Sequence, residues 1–105
     1  EVLVTSSRRW VLMHELRGEQ EPAFEEQVKH FSACDLLLVE GYKFAPIPKL
    51  EVYRAETGEG FLHPKDPHIV AIATDDATTF ASRRDVRCLS LDDTPAILDY
   101  VLARA

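Results

Sequence analysis

Six residues stand where they could handle a nucleotide: Glu40, Gly41, Lys43, Lys49, Arg54 and Asp75. Glu40 ends the apolar run Leu36-Leu37-Leu38-Val39 and is followed by Gly41-Tyr42-Lys43. An acid at the carboxyl end of an interior strand lies where open α/β sheets bind ligands. In phosphate-handling folds an acid there holds Mg²⁺ or orients a water. Asp75 ends a second run, His68-Ile69-Val70-Ala71-Ile72-Ala73-Thr74. If the two runs are parallel strands, both acids reach one crevice. One carboxylate can then hold Mg²⁺ through one or two oxygens and waters. The other can accept two hydrogen bonds from an amidine-like edge, such as the N1–H and N2–H₂ of guanine. Lys43, Lys49 and Arg54 form a local basic set able to counter phosphate charge. Each residue also has a plainer reading. Glu40 is then a solvated acid at a strand end, Asp75 caps a turn through its own side chain, and the cations are surface residues. Arg8 and Arg9 carry the same ambiguity.

The elements that must position these groups alternate between strand and helix. Val2-Leu3-Val4-Thr5 reads as a short β-branched strand, turned by Ser6-Ser7-Arg8-Arg9 into a second one over 10–16. Residues 17–21 are a polar loop. Pro22 suits the first position of a helix, where its missing N–H costs nothing. Glu25 and Glu26 in the first turn and Lys29 and His30 in the last complement the helix dipole. Phe24, Val28 and Phe31 give that helix one apolar stripe. The runs ending at Glu40 and Asp75 are apolar throughout, as strands buried on both faces of a parallel sheet are. Leu50-Glu51-Val52-Tyr53-Arg54 alternates and predicts a strand with one less buried face. Residues 55–68 are loop, broken by Gly58, Gly60, Pro64 and Pro67. A short strand over 87–91 follows. Thr94-Pro95 then opens a terminal helix as cap and first residue, with Ile97, Leu98, Val101 and Leu102 as its buried face. The expectation is one α/β domain over 1–105, with a mainly parallel sheet and flanking helices.

Composition narrows the function classes. A net charge of −6 argues against a general binder of nucleic acid or anionic membrane, since phosphate backbones need a basic surface. No apolar run approaches the ~20 residues that span a bilayer. Cys34 and Cys88 have no ligand spacing and predict two buried free thiols in a reducing cytosol. His63 and His68 flank an acid but lack the further ligands of a structural zinc site. No G-x-S-x-G elbow is present, and Gly58-Glu59-Gly60 precedes no helix. None of the four glycines is followed by lysine, so these residues hold no G-x-x-x-x-G-K-[ST] phosphate cradle. The chain begins at Glu1, just before its first strand, which suggests a piece of something longer.

Three stretches together resemble a known family: 39–43 (Val-Glu-Gly-Tyr-Lys), 48–54 (Pro-Lys-Leu-Glu-Val-Tyr-Arg) and 67–75 (Pro-His-Ile-Val-Ala-Ile-Ala-Thr-Asp). They are similar to MobB, the molybdopterin-guanine dinucleotide biosynthesis protein B family, and residues 7–16 match the family's style. The resemblance runs across essentially all of the chain. It implies a P-loop NTPase-like fold, here incomplete, and a cytoplasmic, dimeric GTP-binding protein with joined sheets. Such a protein assists the guanylyltransferase of molybdenum-cofactor synthesis and is a weak GTPase at most. By the same resemblance Glu40 is the Walker-B-type acid near Mg²⁺ and Gly41 lets the backbone approach the γ-phosphate. Lys43, Lys49 and Arg54 are the family's basic positions, and Asp75 reads the base. Tyr42 stands where the family usually has Phe, which keeps the ring. The amino-terminal P-loop segment is missing, so these residues alone should neither bind GTP tightly nor hydrolyse it. The unpaired sheet edge should then be covered by a second copy, by the missing segment or by a rearranged element. Two other readings stay open: a P-loop synthetase of the dethiobiotin type, with adenine as the base, and a non-catalytic α/β interaction module.

Overall fold

The computed structural model describes residues 1–76, 78, 81 and 83–105, which form two compact units, Glu1–Ala33 and Cys34–Ala105.

In the first unit, β1 (Val2–Thr5) pairs antiparallel with β2 (Trp10–Met13), Val2 opposite Met13 and Thr5 opposite Trp10. Ser6 builds the turn. Its hydroxyl accepts the N–H groups of Arg8 and Arg9 at 3.3 and 3.2 Å and donates to the Arg9 carbonyl at 3.0 Å. This is the local side-chain bonding that makes serine a turn residue. The second strand stops at Met13, three residues short of the expected Leu16. The chain reverses again at Arg17 and Gly18, both at positive φ (49° and 92°). The helix expected from Pro22, with Phe31 on its apolar stripe, contracts to α1 (Phe24–Val28). It buries none of its residues, and its end tightens through His30 N–H to Gln27 O and Phe31 N–H to Val28 O, both at 3.1 Å. Phe24 and Val28 are only half-buried, and with so little burial five residues do not propagate a longer helix.

The second unit is built on a parallel sheet of order β3 (Lys49–Tyr53), β4 (Ile69–Thr74), β5 (Arg87–Ser90). Central β4 is buried throughout except for half-buried Val70, with Ala71 and Ile72 fully excluded from solvent. Ile69, Ile72 and Val86 form the core, and Tyr53, Phe61, Leu62 and Cys88 pack against it. The terminal helix α2 (Thr94–Leu102) is capped by Asp93, whose carboxylate accepts the Ala96 N–H at 3.0 Å. The cap thus falls one residue before the expected Thr94. Tyr100 fastens α2 to the sheet by donating its hydroxyl to the Val70 carbonyl at 2.7 Å. The α/β class with a mainly parallel sheet is as the sequence reads.

One expected strand is absent. Residues 36–40 are irregular, with Leu38 74% exposed, and no described strand lies beside them. A strand exists only through hydrogen bonds to a neighbour, and apolar side chains do not replace that neighbour. Cys34 is likewise exposed instead of buried, whereas Cys88 is half-buried; both are free thiols.

Candidate functional site

The sheet has two ends, and the candidate residues divide between them. At the carboxyl end, β3 and β4 are in register through Tyr53 opposite Thr74, so Arg54 and Asp75 emerge side by side. Arg54 Nη1 donates to Asp75 Oδ2 at 3.2 Å. The two side chains are 48% and 33% exposed, so solvent screening leaves the pair worth only about 0–1 kcal/mol. Its second oxygen still has acceptor capacity. Thr74 Oγ1 accepts the Asp76 N–H at 2.9 Å, and the Thr74 carbonyl accepts the Leu91 N–H at 3.1 Å, so the strand end beneath Asp75 is fixed. A carboxylate on a fixed backbone, held by a weak exposed partner, can exchange that partner for a ligand with paired N–H donors.

Lys49 opens β3 and therefore lies at the amino end, roughly 16 Å from Arg54 at ~3.3 Å per residue. Its ammonium donates to the carbonyls of Lys43 at 3.0 Å and Ala45 at 2.7 Å and meets Asp66 Oδ2 at 2.6 Å. An ammonium has three donors, and all three are used. Lys49 and Asp66 are 15% and 18% exposed, which makes this pair much better sheltered than the one at the other end. Asp66 Oδ1 also accepts the His68 N–H at 2.9 Å. The Lys49 hydrogen bond first, and the His68 N–H second, hold the Asp66 carboxyl below its ordinary range. The expected basic set is thus not one cluster: Arg54 stands by Asp75, and Lys49 stands with Asp66.

The segment between Glu40 and β3 is tied to the amino end. Ala45 N–H closes a turn on the Tyr42 carbonyl at 2.9 Å, and Lys49 holds the carbonyls of that turn. Gly41 and Tyr42 both adopt positive φ, 81° and 45°. Glycine accepts this freely, whereas a bulky residue such as Tyr42 pays for it. Glu40 and Lys43 are exposed. The Lys43 turn and Asp75 therefore lie at different ends of the sheet, although the sequence places Glu40 and Asp75 in one crevice. Among the described residues, no three of His, Cys, Asp and Glu come together to hold a metal. A Mg²⁺ bound to a nucleotide needs only one or two protein carboxylates, the phosphates and waters supplying the rest. The exposed carboxylate of Glu40 fits that demand. A phosphate cradle has no counterpart in the sequence.

Other structural carboxylates escape sequence reasoning. Glu51 accepts the N–H groups of Leu62 and, at 3.1 Å, His63, pinning the loop against β3. Buried His63 lies 3.3 Å from Asp85 through Nε2 and 3.3 Å from Arg83 through Nδ1. Asp66 does leave one signal: an aspartate three residues before a strand, placed to take the i+2 N–H with its side chain.

Residues 1–75 match the family described as Molybdopterin guanine dinucleotide synthesis protein B. Over 108 residues the chain is 31% identical to the molybdopterin-guanine dinucleotide biosynthesis adapter protein of Escherichia coli (strain K12), an alignment covering 97% of this chain and 58% of that one. The adapter protein of the same name from Haemophilus influenzae is 29% identical over 101 residues, covering 96% and 54%. The chain thus spans about half the length of the curated relatives it matches.

Proposed function

Because the chain belongs to the molybdopterin guanine dinucleotide synthesis protein B family, we propose that it serves a GTP-binding accessory protein of molybdopterin guanine dinucleotide biosynthesis. The observation that carries this reading is the carboxyl end of the parallel sheet, where Asp75 sits on fixed backbone and, among the described residues, pairs with a half-exposed arginine through one oxygen. In this reading Asp75 takes the paired N–H edge of guanine, and Arg54 yields to it. The turn after Glu40 is held at the other end of the sheet, so Glu40 reaches the nucleotide's Mg²⁺ only once pairing of residues 36–40 as a strand carries it toward Asp75, and Gly41 then admits the phosphate beside it. Lys43 offers its charge from the exposed face. The neighbour for residues 36–40 and the phosphate cradle come from outside these 105 residues, so the residues alone bind GTP weakly and do not hydrolyse it. The relatives are named adapters of molybdopterin-guanine dinucleotide biosynthesis; in this reading the protein acts beside a cytoplasmic guanylyltransferase and has at most weak GTPase activity.

The test is GTP and ATP affinity in the full-length protein. A charged hydrogen bond is worth about 1.5–3 kcal/mol, so Asp75→Ala should weaken GTP roughly 10- to 100-fold and leave ATP unchanged. Glu40→Gln should raise the Mg²⁺ concentration needed for GTP binding. Unchanged affinity in both variants would reject the nucleotide site.

The interaction-module reading has its own support. Val2, Leu3, Val4, Trp10, Val11, Leu12 and Met13 are all 49–71% exposed on the β1–β2 hairpin. Exposed apolar strands with free edges favour pairing with another chain, and a homo-oligomer joined through this edge would cover them. Concentration-dependent mass in sedimentation, abolished by Leu3→Lys, is the expected result.

A further inference from the structure

Lys49 spends all three donors of its ammonium on the protein itself, and its partners lie in two neighbouring segments. Two are carbonyls of the turn that follows Glu40-Gly41, and the third is Asp66, in the segment leading into β4. The Lys49 N–H also donates to the His68 carbonyl at 2.8 Å, and Asp66 Oδ1 takes the His68 N–H. Side chain and backbone of one residue thus join three segments: the turn over 42–45, the start of β3 and the lead into β4. The turn itself contains Tyr42 at φ 45°. Left-handed backbone at a bulky residue persists only where the surroundings enforce it.

We propose that Lys49 is a positioning residue, whose ammonium, anchored by Asp66, clamps the 42–45 turn to the amino end of the sheet and so sets where Glu40 can reach. From the held Lys43 carbonyl back to Glu40 is three residues, at most about 10 Å of chain. The clamp therefore confines Glu40 without touching it. This extends the nucleotide reading above and rests on it for its functional half, whereas the clamp itself rests on contacts alone. A lysine whose three donors are spent on the protein is not a phosphate ligand.

Two measurements on the full-length protein separate these halves: hydrogen exchange at the Ala45 amide and affinity for GTP. Lys49→Met should raise Ala45 exchange at least tenfold while the amides of Ile72 and Ala73 keep their protection, and should weaken GTP several-fold. Asp66→Asn, which keeps shape and one acceptor, should do the same to a smaller degree and serves if Lys49→Met does not fold. Lys49→Arg, which keeps the charge and several donors, should restore both values in part. Unaltered Ala45 exchange in both Lys49→Met and Asp66→Asn would overturn the clamp. Faster exchange with unchanged GTP affinity would overturn the positioning role. Weaker GTP binding with unaltered exchange would make Lys49 a direct ligand and also overturn it. Faster exchange in a protein whose wild type binds no GTP upholds the clamp and removes the nucleotide reading instead.

Discussion

Residues 36–39 and residues 69–74 are two apolar runs closed by or running up to an acid, and the sequence treats them alike. The structure does not. Ile69–Thr74 is the central strand, with β3 on one side and β5 on the other, and Ile72 has no solvent exposure. Residues 36–39 have no described neighbour, and Leu38 is 74% exposed. The difference lies in the backbone. Every N–H and C=O removed from water needs a partner, so an apolar run becomes a buried strand only where strands on either side accept its hydrogen bonds. Hydrophobicity selects the candidates, and pairing decides among them.

The sharpest way to break this contrast is to truncate the paired run. Ile72→Ala should cost 2–5 kcal/mol, about the range for emptying a closely packed aliphatic site, as read from urea unfolding of the chain. A loss under about 1 kcal/mol would mean that β4 is not the core and that the two runs are alike after all.

A smaller effect probes the place where the runs are joined. Lys49 begins the strand next to β4 and holds the turn that ends the first run. Asp66, its partner, titrates below the ordinary value of 3.8 because of the Lys49 hydrogen bond and the His68 N–H. A carboxyl whose folded pKa is depressed contributes stability above its unfolded pKa and loses it as pH falls through the folded one. The difference in stability between the protein and its Asp66→Asn variant should therefore be constant from pH 7 to 5. It should shrink progressively as pH falls from about 5 through the ordinary carboxyl value and on through the lower folded one. A difference that fades between pH 7 and 5 would show that the Asp66 carboxylate is not the group that carries it.

Much of this was legible in the residues. β3, β4, β5 and α2 each fall within one residue of the expected ends, because periodicity, breakers and the Asp93-Thr94-Pro95 start act locally. The turn at Ser6 was legible for the same reason. α1 is shorter than its apolar stripe suggests, because Phe24 and Val28 are only half-buried and Phe31 is exposed. The site was legible by type and less so by place. Asp75 and Arg54 meet because β3 and β4 are parallel and in register, which strand polarity allows one to foresee. Lys49 groups with Arg54 by nearness in sequence, yet a five-residue strand carries them to opposite ends of the sheet. Asp66 stayed hidden, because nothing in the spacing from 49 to 66 announces an ion pair.

The smallest expected effect is the one that reads the contrast most directly. Leu38→Ala should change the stability of these 105 residues by no more than about 0.5 kcal/mol, as exposed positions do. Under the proposal that residues 36–40 gain a strand neighbour from outside this stretch, the same substitution in the full-length protein should cost about 2–5 kcal/mol, as a buried leucine does. The substitution is identical in both backgrounds, so the change in its cost measures burial of Leu38 and nothing else about leucine. A small cost in both would show that this run stays open to water. Glu40 would then have no strand end to project from, and the sheet's acid would be Asp75 by itself.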